Sequence, residues 1–225
     1  MRYVALISLI FSAGCSESSA PQTQAPANAP ANASKTAPSK PEVKDQVGPL
    51  VTLGGSITET VFALGQGDKI VGVDVSSLHP IGATKLPKVG YYRQVSAEGV
   101  ISLAPKMVIA SASSGPKDVL EKITNVGIRL ESIPATKTFV GAKARIQAIA
   151  KLIGAEDKGK ELVAKMDQQI QAVKKAQPAK KVLFIYARGA GSLNVAGSEN
   201  AADEMIRLAG GVNAVTEYEG YKPIN

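Results

Sequence analysis

The stretch Pro49-Leu50-Val51-Thr52-Leu53-Gly54-Gly55-Ser56-Ile57-Thr58-Glu59 sets the architecture of this chain. Leu50 to Leu53 reads as a short apolar strand, and the glycine pair turns it. Ser56 stands where a helix cap belongs, with Glu59 three residues on as in a capping box, so a helix is expected over 57–64. The same rhythm continues downstream. Strands are expected over 69–73, 107–110 and 129–133, and helices over 97–103 and 117–125. Strands alternating with helices imply a mainly parallel, helix-covered sheet, whose ligand sites lie beyond the carboxyl ends of the strands. The loops at 76–92 and 111–115 fall at that edge.

A helical stretch follows over 142–177, with a break expected near Gly154. Leu162, Met166, Ile170 and Val173 recur at three- and four-residue steps and form one apolar stripe. A continuous helix over 155–176 would be about 33 Å long, and Pro178 ends it. Lys181-Val182-Leu183-Phe184-Ile185-Tyr186 then reads as a strand opening a second α/β lobe. The residues left after it are too few for a lobe matching the first, so the second lobe is expected to be truncated.

The front of the chain has a different character. Arg2, an apolar run from Tyr3 to Phe11 and the small residues Ser12-Ala13-Gly14 read as a secretory signal. The run is far short of the roughly 20 residues that span a bilayer. Small residues directly before Cys15, the single cysteine, resemble a lipoprotein cleavage box, although Ser12 stands where leucine is commonest. Cys15 is therefore expected to carry a lipid. Residues 16–48, rich in Ala, Pro, Ser, Asn and Gln, cannot bury enough surface to order themselves and read as a tether. The resulting division is a signal peptide over 1–14, a lipidated cysteine and linker over 15–48, a first lobe over 49–140, a helical connector over 141–178 and the start of a second lobe over 179–225.

The net charge is +7. Its lysines are spread through amphipathic segments with no aromatic-studded basic stripe, which disfavours nucleic acid as a partner. One histidine and one cysteine leave little from which to build a nucleophile–base pair. No phosphate-cradling loop is present either, because Gly189-Ala190-Gly191 lacks the lysine and spacing. An enzyme is not expected. A lone histidine also disfavours a multi-histidine zinc or manganese site.

Val89-Gly90-Tyr91-Tyr92-Arg93-Gln94-Val95 carries the most distinctive chemistry. A phenol of pKa about 10 is a poor anionic ligand at neutral pH, and a guanidinium alongside favours its phenolate. That pairing suits a hard ferric iron, and tyrosinate is a known axial ligand of haem. In a locally extended loop Tyr91 and Arg93 would share a face while Tyr92 points away. A loop tyrosine can equally be a half-buried packing residue.

These residues belong to a longer pattern. Gly54 to Glu59, Asp74, Ser77-Leu78-His79-Pro80, Leu86 to Tyr91 and Ser96 to Pro105 follow in order, and a second block runs through Ala187-Arg188-Gly189-Ala190-Gly191, Val195-Ala196-Gly197 and Ala201 to Ala214. Together they resemble the periplasmic haem-binding proteins that serve haem-uptake ABC transporters, in the BtuF-like class of binding proteins. The resemblance implies two Rossmann-like α/β lobes with central parallel sheets, joined by a long backbone helix, and a haem-binding cleft between them. It implies a monomer in the periplasm, held by the Cys15 lipid to a membrane (or at the cell surface of a Gram-positive bacterium), whose partners are haem, a permease and its ATPase.

Residue by residue, Tyr91 resembles the iron ligand and Arg93 its support, with Tyr92 as the alternative ligand. Haem b is the implied cargo. Arg188 lies where some relatives place a histidine. Arginine stays protonated and cannot ligate iron, but its planar fork suits a propionate. His79 could reach a ligand from its rim loop or simply face solvent. Glu59 and Glu204, one per lobe, look like the carboxylates that dock on a permease, though the helix macrodipole alone accounts for acids at those positions. The alternative is a binding protein of the same fold for a ferric siderophore or cobalamin.

Overall fold

The computed structural model describes residues 47–187 and 193–224. Cys15 and Arg188 lie outside the described residues. In chain order the elements are β1 (Leu50–Leu53), α1 (Gly55–Ala63), β2 (Ile70–Val73), α2 (Ile81–Thr84), β3 (Gly90–Tyr91), β4 (Gln94–Val95), α3 (Ala97–Ser102), β5 (Met107–Ser111), α4 (Lys117–Asn125), β6 (Arg129–Ile133), α5 (Phe139–Leu152), α6 (Glu156–Gln171), β7 (Lys181–Val182), β8 (Ile185–Ala187), β9 (Leu193–Ala196), α7 (Ala201–Leu208), β10 (Val212–Asn213) and β11 (Tyr221–Pro223).

The first sheet is parallel throughout, in the order β2-β1-β5-β6. Successive side chains of a strand face opposite ways, and the core divides accordingly. Leu50, Met107 and Ile109 pack with Ile57 and Val61 of α1 and with Ile146 and Ile149 of α5. Val51, Leu53, Val108 and Ala110 pack on the other face with Val100 of α3 and Ile123 of α4. From β1 the chain steps to β2 on one side, while β5 lies on the other. The switch in direction opens a crevice between the carboxyl ends of β1 and β5, the place where open α/β sheets hold their ligands.

Helix α1 starts earlier than the sequence pattern predicts. Gly54 at φ 117° is the cap residue, and no side chain caps the helix, so Ser56 and Glu59 form no capping box. Only glycine tolerates that backbone geometry readily. The Gly54 carbonyl accepts from the amides of Ile57 and Thr58, and its own amide donates to Asp74 Oδ1 at 2.9 Å.

The helical stretch is broken around Gly154 as expected, but both parts differ in extent. Helix α5 begins at Phe139, and Ile146, Ile149, Ala150 and Ile153 belong to the first core. Helix α6 stops at Gln171, seven residues before Pro178 (178 − 171), and is therefore shorter than the continuous helix predicted. Leu162 and Met166 pack against the first core as well. The segment read as a connector is thus largely a wall of the first lobe. Gly159 lets the two helices close up: a Cβ there would meet the Ala150 Cβ at 2.6 Å.

The predicted strand over 181–186 is interrupted at Leu183 and Phe184. Its first part, β7, pairs parallel with β10, whereas β8 joins an antiparallel sheet of order β11-β9-β8. Among the described residues, the β7–β10 pair and the Ser198–Glu219 bridge have the parallel arrangement expected of a second Rossmann-like lobe. Two buried asparagines organise this half. Asn200 caps α7 by accepting from the amides of Ala202 and Asp203, and it donates to the Gly197 and Gly220 carbonyls. Asn213 donates to the Gly197 carbonyl and to Asp203.

Candidate functional site

Tyr91 sits on a tight hairpin. Strands β3 and β4 pair antiparallel, with Tyr91 opposite Gln94, so Tyr92 and Arg93 are the two turn residues. Gly90 at φ 97° makes the close approach possible, since a Cβ there would stand 2.7 Å from the Gln94 carbonyl oxygen. The hairpin is held from two sides of the crevice. The Gly90 carbonyl accepts from the Val75 amide in the loop after β2, and the Tyr92 carbonyl accepts from the Gly115 amide in the loop after β5. Both loops predicted to lie at the carboxyl edge of the sheet do so, and the hairpin bridges them.

Beneath the first of these loops lies a buried polar relay. Asp74 accepts from the amides of Gly54 and Ser76 at 2.9 Å each, from the Ser76 hydroxyl at 2.5 Å and from the Ser77 hydroxyl at 2.8 Å. The Ser77 proton being committed to Asp74, the 2.7 Å contact with Thr58 is a donation by Thr58, and the 2.8 Å contact with Thr52 a donation by Thr52. The longer 3.5 Å approach of Thr58 to the Gly54 carbonyl is secondary. The hydroxyls therefore point in sequence from Thr52 toward the carboxylate. They lock the loop at 74–77, and with it the hairpin, onto β1 and α1.

At the hairpin tip the side chains are arranged differently from an extended loop. The rings of Tyr91 and Tyr92 meet edge to face at 4.6 Å between centroids, and the Arg93 guanidinium stands 5.3 Å over the Tyr92 ring. Arg93 thus stacks on Tyr92 rather than pairing with Tyr91, because a two-residue turn points its corner residues away from the strand pair. The Tyr91 phenol is pushed above its ordinary value, chiefly by its hydrogen bond with Tyr92 and also by desolvation, with the Arg93 charge pulling the other way. Tyr92 is half-buried against the core under α3 and α4, while Tyr91 is 40% exposed. Of the two, Tyr91 is the one presented to an incoming molecule.

Apolar side chains are exposed on the segment from the end of β2 to the start of α2. Val75, Leu78 and Ile81 are all exposed, Leu78 at 65% and Ile81 at 76%. His79 is exposed between them. This apolar segment escaped the sequence reading, although apolar residues flanking a histidine in a loop are its visible signal. The buried relay escaped as well, since threonines and serines in a strand-turn-helix read as ordinary turn residues.

The two docking candidates have different surroundings. Glu59 is exposed on α1. Glu204 is committed within the chain: its side chain is 12% exposed, it accepts from the Phe139 amide at 3.0 Å, and it pairs with Arg207. Phe139 is the first residue of α5, so the carboxylate caps the positive end of that helix. The Phe139 hydrogen bond, reinforced by Arg207, holds the Glu204 carboxyl below its ordinary value. A carboxyl lowered on folding adds stability that is complete above the usual glutamate pKa of about 4.3 and is lost as pH falls through the lower folded value. Glu204→Gln is expected to cost about 1–2 kcal/mol at pH 7. Urea unfolding should show the gap between wild type and variant narrowing as pH falls below about 4.3; a gap independent of pH there would contradict this role.

Further along the edge, a crevice of about 510 Å³ separates the loop after β6 from the start of α7, lined by Thr136, Lys137, Asn200 and Asp203 among others. Next to it a smaller cavity of about 180 Å³ opens at the β1–β5 switch, lined by Ser56, Ser111, Thr136 and Arg145 with Ile133 and Pro134. In the second half an apolar groove of about 510 Å³ runs between Val182, Phe184, Met205, Ile206 and Tyr221. It lies away from the hairpin, on a different set of elements.

The chain is similar to known proteins in sequence and in fold. Residues 50–225 match the family model described as "Periplasmic binding protein". The periplasmic heme-binding protein RhuT from Roseiflexus sp. RS-1, in apo form, superposes with a TM-score of 0.73 at 35% identity, over 80% of this chain and 71% of that one. An uncharacterized ABC transporter substrate-binding lipoprotein of Bacillus subtilis, YvrC, is 28% identical over 80% of this chain. A vitamin B12-binding protein of Vibrio campbellii is 28% identical over 73% of it. The chain spans 59% of the length of the Bacillus relative and 60% of the Vibrio one. With its fold and its sequence both matched over more than two thirds of its length, the chain belongs to the periplasmic binding protein family.

Proposed function

We propose that this chain captures ferric haem, with Tyr91 as the axial iron ligand, and delivers it to the permease of an ABC importer. The observation that carries the reading is an exposed tyrosine at the carboxyl edge of the parallel sheet, on a hairpin held by the amide of Val75, itself exposed. A flat apolar macrocycle with a hard ferric centre needs both parts: apolar surface against its face and an oxygen ligand at its iron. The likeness to a haem-binding protein at 35% identity supports the same cargo.

Roles for the neighbours follow. Tyr92 and Arg93 brace the Tyr91 ring from the turn, and iron itself supplies the positive charge that favours loss of the phenol proton. Arg188 faces a propionate, and His79 lies on the rim. Glu59 remains available to a permease arginine, whereas Glu204 acts mainly inside the chain. Cys15 carries a lipid that tethers the protein to its membrane outside the cytoplasm, and the cargo is haem b.

One observation favours a second reading: a vitamin B12-binding protein is among the relatives. Equilibrium dialysis against hemin and, separately, cyanocobalamin distinguishes the two. Saturable retention of hemin with no retention of cyanocobalamin is expected. Retention of cyanocobalamin alone would replace haem with a corrinoid.

A further inference from the structure

The small cavity at the β1–β5 switch contains a group that the Tyr91 site does not use. Arg145 projects from α5 into a space whose other walls are the Ser56, Ser111 and Thr136 side chains and the apolar Ile133 and Pro134. Its Nε is buried and has no hydrogen-bond partner. No carboxylate among the described residues pairs with it; the charge that bears on it is that of Glu59, exposed on α1. Burial accordingly weakens its hold on the proton, with Glu59 opposing. Arg145 is half-buried as a whole, and a buried Nε–H without an acceptor is destabilising, so an acceptor arriving in the cavity would satisfy it.

We propose that Arg145, with the hydroxyls of Ser56, Ser111 and Thr136, forms a subsite at the β1–β5 switch that binds a carboxylate arm of the ligand. The chemistry matches: a guanidinium offers a planar fork to a carboxylate, and hydroxyls donate to its remaining lone pairs. The size matches as well. A cavity of about 180 Å³ admits a carboxylate on a short alkyl stem but not a macrocycle, whose pockets run to several hundred Å³. The cavity's neighbour is the wider crevice toward α7, which shares Thr136.

This assignment rests on the haem reading, and it sharpens that reading. Haem carries two propionate carboxylates, whereas the side chains of cobalamin end in amides, which offer a guanidinium no negative charge. Arg145 would then select for the carboxylate-bearing tetrapyrrole.

The test compares hemin with hemin dimethyl ester, whose carboxylates are capped, on the wild-type protein and on Arg145→Gln. Wild type should bind hemin about 10- to 100-fold more tightly than the ester, and Arg145→Gln should lose the Arg145 share of that preference, about 10-fold, while keeping what Arg188 contributes and the Tyr91-dependent spectrum. Equal affinities of wild type for the two ligands would overturn the proposal without needing any variant to fold. So would a variant that retains the full preference, since the carboxylate would then be read elsewhere. Binding of neither ligand would sink the haem reading instead. The subsite is then decided by the Arg145 Nε–H resonance, followed with sodium propionate against sodium chloride at equal ionic strength. A saturable propionate shift upholds it; no shift, or a shift with inorganic phosphate alone, overturns it.

Discussion

Replacing Asp74 with alanine is expected to destabilise the protein by about 3–4 kcal/mol, because it strands several buried donors at once. Gly54 N, Ser76 N and the hydroxyls of Ser76 and Ser77 all donate to this carboxylate. The Gly54 amide cannot turn to water without releasing the start of α1. Loss of the Ser77 contact also removes the end of the hydroxyl sequence from Thr52 and Thr58. Asparagine should recover only part of the loss: one of its two terminal atoms is a donor and would face donors. The effect should extend to binding, since the Val75 amide in this loop holds the Gly90 carbonyl at the base of the Tyr91 hairpin. Urea unfolding of the wild type, Asp74→Ala and Asp74→Asn checks the ranking. A shift below about 0.5 kcal/mol, the range of an ordinary surface substitution, would show that the relay does not hold the loop.

Much of the first lobe was legible in the sequence because its signals are local and mutually consistent. The helix at Lys117–Asn125 and the strand at Arg129–Ile133 match the predicted spans, each bounded by a proline or glycine turn. The start of α1 misled because the long-range acceptor for Gly54 lies 20 residues away, and no local pattern signals it. The interruption at Leu183 and Phe184 is a tertiary effect as well: apolar continuity predicts one strand, but its two parts pair with different partners. Arg145 had a readable clue, a cation one turn before the buried Ile149 on the same helix face. The clue is faint, because a cation among the apolar residues of α5 is what any amphipathic helix carries. Residue chemistry singles out Tyr91, but not which neighbours it meets, because turn geometry decides which of three adjacent side chains touch.

The second large effect is at the iron. Removing the Tyr91 hydroxyl should weaken haem binding by on the order of 100-fold or more, since even partners that merely orient a metal ligand contribute 10- to 100-fold. Arg93→Ala should fall in that smaller range. It touches Tyr92 rather than the phenol oxygen, at 5.3 Å from the Tyr92 ring. Tyr92→Phe separates the ligand from its brace: it removes the hydrogen bond that most raises the Tyr91 phenol and leaves the ring contact in place. Tyr92→Phe should therefore retain the ligation spectrum that Tyr91→Phe loses. A reversal of the two would move the ligand one residue along the turn.

The most direct test is a hemin titration of the wild-type protein beside Tyr91→Phe, followed in the Soret region and through the charge-transfer bands of ferric haem. A saturable Soret shift with tyrosinate-type charge-transfer bands is expected in the wild type, and loss of those bands in the variant. A wild type that shows no saturable shift, or a variant whose bands match the wild type, would contradict haem ligation by Tyr91.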